Sequence, residues 1–185
     1  MELVTPPTCT HFPVVIPPNF VPSDSDGDGV DQNAQGRTCP GYKPPYEWSW
    51  GGGFWAARGP DRVFHRAVDV MAAEGAHIVA PTSGVVPLKY AGVAGPGAGF
   101  APKKSGNYVV LAADDGWVWY FAHMRELPIV KPGDRVDAGQ LLGILGRTGS
   151  AKRRKVDGFY GCPHLHLSLQ APVKLRQWIA RGATK

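Results

Sequence analysis

Glycine and proline punctuate this chain too often for helices to organise it. They supply 24 and 18 of its 185 residues, about 23% together. Inside a helix each glycine costs about 1 kcal/mol relative to alanine and each proline about 3. A helical bundle is therefore excluded, and short strands joined by turns are the expectation. The fraction still falls below the roughly 25–30% that marks low-complexity disorder, and 43% hydrophobic residues suffice for a core. The length suits one domain with an appendage.

Proline and charge divide the chain in two. Residues 1–46 hold nine of the prolines and five acids against two bases, a net charge of −3. Residues 47–185 carry 18 bases and 10 acids, a net of +8. We read 1–46 as an irregular, proline-rich acidic leader and 47–185 as the functional domain. A basic body suits nucleic acid, anionic lipid or an acidic polymer such as cell wall, and charge alone does not choose among them. No apolar run approaches the 18 residues of a membrane span, and Phe12 to Val21 is broken by Pro13, Pro17 and Pro18. The first residues show no basic segment ahead of an apolar one, so no signal peptide is read there.

Within the leader, Asp24, Asp26 and Asp28 alternate with small residues and lead into Gly29, the first half of a calcium loop. The twelfth position would be Gln35, which lacks the bidentate carboxylate, so a solvated acidic turn stands beside calcium as a reading. Cys9 and Cys39 could close a loop in the leader, leaving Cys162 over, although spacing does not fix connectivity.

Short apolar runs bounded by turn residues follow: His77 to Ala80, Gly84 to Tyr90, Tyr108 to Ala112, Trp117 to Ala122, Val130 to Val136 and Leu141 to Gly146. Each has the length and composition of a strand. Asp115-Gly116 between two of them predicts a β-hairpin over 107–122. Only 173–181 reads as a helix, with Leu175, Trp178 and Ile179 on one face. The expected fold is mainly β, an antiparallel sheet core with a short C-terminal helix and an irregular N-terminal segment.

Four of the six histidines fall in three short segments: His65 to Asp69, Tyr120 to His123, and Cys162 to His166. On a strand, His164 and His166 share one face while Leu165 and Leu167 share the other. His65 and Asp69, four apart, share a face on a strand or a helix. Imidazoles with a carboxylate suit zinc, and three protein ligands leave a fourth position for water. His11 and His77 belong to no spaced pair.

The stretch from about residue 58 to 170 resembles the lysostaphin or LytM-type zinc metallopeptidases, which cleave bacterial cell wall. The resemblance runs in order through His65 to Asp69, Gly75 to Pro81, Gly106 to Val110, Tyr120 to Met124, Val130 to Val136, Gly143 to Gly149 and Pro163 to His166. It implies that His65, Asp69 and His166 are zinc ligands and that His123 and His164 stand beside the attacking water. His164 is the expected general base, with His123 steadying the oxyanion or sharing the proton transfer. Ala67 stands where the family commonly has glycine. The aromatics near the first ligand are Phe54, Trp55 and Phe64, which offer no phenol.

The implied protein is a secreted or periplasmic, monomeric zinc endopeptidase acting on peptide cross-links or stem peptides of peptidoglycan. A non-catalytic wall-binding or regulatory module on the same scaffold is the alternative. Nucleic acid is not an expected partner, because it would explain the charge but not the histidines. The basic loop Lys152 to Lys155 could line the groove or face solvent. The leader could fold over the groove, bringing His11 to the open metal position, or pack beside it.

Overall fold

The computed structural model describes residues 7–21, 39, 49–50, 57–58, 63–89, 96–101, 105–149 and 161–172. Among them thirteen strands occur: β1 Val14–Val15, β2 Ser49–Trp50, β3 Ala57–Arg58, β4 Val63–Phe64, β5 Val68–Met71, β6 His77–Val79 and β7 Gly84–Val85. They continue with β8 Ala98–Ala101, β9 Gly106–Ala113, β10 Val118–Met124, β11 Arg135–Val136, β12 Leu141–Ile144 and β13 His164–Gln170. The fold is mainly β and antiparallel, as composition predicts. The expected helix over 173–181 lies outside the described residues.

Strands pair into an eight-stranded sheet in the order β11-β7-β9-β10-β13-β5-β2, with β8 also on β9. A three-stranded sheet, β1-β6-β12, and the β3–β4 pair complete the set. The expected hairpin is present. Gly116 takes φ +84°, a conformation cheap only for glycine, and Trp117 N–H donates to Asp115 Oδ1 at 3.1 Å across the turn.

Alternation along the central strands gives the large sheet two unlike faces. Val109 and Leu111 of β9, Trp119 and Phe121 of β10, Leu165 of β13 and Val70 of β5 pack with Val14, Ile78 and Leu142 of the smaller sheet. Burying each large apolar side chain contributes about 1.5–3 kcal/mol, so this layer holds the two sheets together. The opposite face of the large sheet carries a smaller cluster, Tyr108, Val110 and Ala122, with Tyr120, Val118 and Ala101 packed against it. That face also presents the polar residues of β13.

The leader is less irregular than expected. Val14 and Val15 add an edge strand to β6, with Val14 opposite Ile78, and Phe12 and Ile16 pack against the core. Cysteine pairing also differs from the loop envisaged within the leader. Cys39 bonds to Cys162, while Cys9 is a free, exposed thiol. Spacing could not foresee this, because the bond joins residues 123 positions apart.

Candidate metal centre

Strand register builds the centre. β13 lies between β10 and β5, with His166 opposite Asp69 on one side and opposite Ala122 on the other. His65 reaches the same place from just ahead of β5 rather than from a shared strand, since β4 ends at Phe64 and β5 begins at Val68. His65 Nε2 lies 3.0 Å from His166 Nδ1, and both nitrogens lie 3.3 Å from Asp69 Oδ1.

That triangle can be tested against zinc. Ligand bonds of about 2.0–2.2 Å in tetrahedral array set donor atoms about 3.3 Å apart, close to all three edges observed. Two imidazoles and a carboxylate are also a donor set that zinc accepts. His65, Asp69 and His166 therefore form a group that could hold a metal ion. His166 has 27% of its side chain exposed against 7% for Asp69, so the solvent-facing side of the triangle is at β13.

His164 points into the same space. Its Nε2 is 3.8 Å from Asp69 Oδ1, farther than any edge of that triangle, and its Nδ1 lies 2.9 Å from the Cys162 carbonyl. A carbonyl only accepts, so Nδ1 carries a proton, and in the neutral ring Nε2 keeps the lone pair.

His123 arrives by a different device. Tyr120 and Ala122 lie on the site face of β10, and Trp119 and Phe121 on the core face, so strict alternation would send residue 123 into the core. A bulge between Ala122 and Met124, with His123 at φ +69°, breaks the alternation. Met124 then joins the core, and the His123 ring packs edge-on to His164 and His166 at centroid distances of 4.9 and 5.7 Å. His123 Nδ1 lies 2.8 Å from the Thr148 carbonyl, which again leaves Nε2 as the acceptor. Burial, then the neighbouring His164 and His166, push His123 down to about 4. It stands as a neutral imidazole at neutral pH.

Arg147 and Glu74 form a buried ion pair, Nε to Oε2 2.8 Å, and Arg147 Nη1 donates to the Gly161 carbonyl at 3.4 Å. Burial raises the Glu74 carboxyl, an effect that Arg125 opposes. This pair joins the turn before β6 to the segment that leads into His164. Sequence reading missed it, and missed the carbonyls of Thr148 and Cys162, because backbone acceptors have no residue signature. Tyr120 also went unassigned. Its hydroxyl donates to Ser105 Oγ, and its ring stands edge-on to His166 at 6.3 Å.

Other expectations fall elsewhere. The Cys162 sulfur is committed to Cys39 and is not a donor here. His11 packs against Gly139 and bonds Thr10 Oγ1 at 3.0 Å, so it belongs to the turn before β12 and not to the metal centre. His77 sits on β6, paired with Val15. Asp24, Asp26 and Asp28 lie outside the described residues, and calcium has no support from those that are described. The Lys152 to Lys155 loop, Phe54 and Trp55 lie outside them too.

The family model described as Peptidase family M23 matches residues 63–177. The catalytic domain of the antimicrobial peptidase lysostaphin from Staphylococcus simulans is 27% identical, with a TM-score of 0.50 over 69% of this chain and 81% of that one. The catalytic domain of the prophage-encoded M23 protein EnpA from Enterococcus faecalis is 22% identical, TM-score 0.50, over 72% of this chain and 86% of that one. A zinc-containing peptidase from Vibrio cholerae is 23% identical, TM-score 0.51, over 78% of this chain but 41% of its own. The last two are similar in fold alone.

Proposed function

This chain belongs to peptidase family M23, and from that membership we propose that it is a zinc-dependent endopeptidase hydrolysing peptide cross-links or stem peptides of bacterial peptidoglycan. The observation that carries the reading is the triangle of His65 Nε2, Asp69 Oδ1 and His166 Nδ1, its edges 3.0 to 3.3 Å.

His65, Asp69 and His166 would hold the metal, which when bound lowers the pKa of water toward about 7 and polarises a carbonyl. His164 Nε2, with its lone pair turned to the centre, takes the proton of the attacking water and returns it to the leaving amine. Anchoring of Nδ1 on Cys162 keeps that nitrogen in the accepting tautomer. His123, held by Thr148 with Nε2 as the acceptor, shares the proton transfer, and once Nε2 has taken a proton it steadies the charge developing on the substrate oxygen. Tyr120, half-buried and edge-on to His166, borders the site on the face where an extended peptide would lie.

Action outside the cytoplasm, as a secreted or periplasmic monomer, belongs to the same proposal. The Cys39–Cys162 bond supports an oxidising compartment. The +8 of residues 47–185 favours an anionic wall. Among the described residues there is no helix long and apolar enough to cross a membrane.

The test is release of peptides from purified cell wall, read by mass spectrometry, with metal content measured in parallel. About one zinc per chain and loss of turnover on chelation are expected. Turnover that persists after complete metal removal would refute the proposal.

A further inference from the structure

His123 occupies a backbone conformation that its side chain disfavours, at φ +69°. Such a residue persists only when its surroundings hold it there, and those surroundings are specific. Its N–H donates to the Ser105 carbonyl at 2.9 Å, and its Nδ1–H to the Thr148 carbonyl at 2.8 Å. The two carbonyls that follow it are also occupied. Met124 O accepts from Thr148 Oγ1 at 2.6 Å and from Asn107 Nδ2 at 3.1 Å, and Arg125 O accepts from Asn107 Nδ2 at 3.1 Å.

Thr148 and Asn107 are themselves joined. The Asn107 backbone N–H donates to Thr148 Oγ1 at 2.9 Å, so one hydroxyl donates to the bulge and accepts from the start of β9. Gly106 makes room for this contact. It takes φ +63°, and a Cβ there would overlap Thr148 Oγ1. Loss of the hydroxyl would leave the Asn107 N–H without this partner at a part-buried place and the Met124 carbonyl with the Asn107 amide alone.

We infer that Thr148 and Asn107 are positioning residues for His123: the threonine hydroxyl and asparagine amide clamp the bulge that turns the imidazole out of the core, and the threonine carbonyl fixes its tautomer. The inference rests on the reading above that His123 serves the hydrolysis. It goes beyond that reading by assigning the orientation of His123 to two residues that touch neither metal nor substrate.

Thr148→Val tests it in the full zinc-loaded chain, because valine keeps the shape and the backbone carbonyl but removes the hydroxyl. The expected result is a fall in kcat of about 10–100-fold, the scale set by small misplacement of a reacting group. KM and zinc content should stay near wild type, and Thr148→Ser should recover most of the rate. In a His123→Ala background, Thr148→Val should cost nothing further. Long-range 15N–1H spectra of histidine-labelled protein add a readout independent of turnover. They should show the His123 ring as the Nδ1–H tautomer in wild type and a tautomer mixture in Thr148→Val.

If circular dichroism shows Thr148→Val unfolded, Asn107→Ala carries the same expectations. Wild-type kcat and a single His123 tautomer in either folded variant would overturn the clamp, as would losses that multiply in the double variant. Full rate in His123→Ala would instead overturn the catalytic reading, and the clamp with it. A slow His123→Ala beside a fast Thr148→Val sinks the clamp alone.

Discussion

His166 and Asp69 face each other across β13 and β5, with Nδ1 and Oδ1 3.3 Å apart. Strand pairing, not sequence proximity, brings these donors together. A one-residue slip of β13 would exchange His166 for a leucine on the site face.

Asp69→Asn keeps the shape of that pairing but removes the only carboxylate of the triangle. Bound zinc should fall to a small fraction of one per chain under dialysis, and turnover should fall with it. Metal analysis of the dialysed variant checks this, and full occupancy would contradict the ligand assignment.

His164→Ala should separate chemistry from binding. Its Nε2 lies outside the ligand triangle, so zinc content should be unchanged while kcat drops about 10²–10⁴-fold, the range for loss of a general base. A variant that loses zinc in proportion to activity would make His164 a ligand instead.

Reduction of Cys39–Cys162 should destabilise the fold. Closing a span of 123 residues is worth about 4–5 kcal/mol in the chain-entropy model. The bond also ties down Cys162, whose carbonyl holds His164. Guanidinium midpoints with and without reductant measure the effect, and identical midpoints would show that the bond contributes nothing.

Acid should weaken the zinc-free protein through His123. Its folded pKa is about 4, against about 6.5 in an unfolded chain. As pH falls, the unfolded state takes up this proton first. The contribution is therefore fully present above about 6.5 and is lost toward pH 4, by about 3 kcal/mol. Melting of chelated protein between pH 7 and 4, compared with His123→Asn, isolates it, because carboxylates titrate alike in both. Equal slopes would contradict the assignment.

Local pattern revealed much of this molecule. The density of glycine and proline dictated short strands, and Asp115-Gly116 located the β9–β10 hairpin. The period of two along β13 placed His164 and His166 on one face and Leu165 on the other, which is how they stand. These features depend on neighbours within a few residues, so they are written where they act.

Contacts between distant segments were not legible in that way. The leader's Val14 docks on Ile78, and Cys39 chooses Cys162 over Cys9, because folding brings them close. His123 is the clearest case. Alternation along β10 directs it into the core, and a bulge held by Thr148 and Asn107 turns it to the site. Sequence determined which side chains could serve a metal centre, since chemistry and strand period are local properties. Only the tertiary structure decided where they meet, because register, bulges and backbone carbonyls take their positions from strands far apart in the chain.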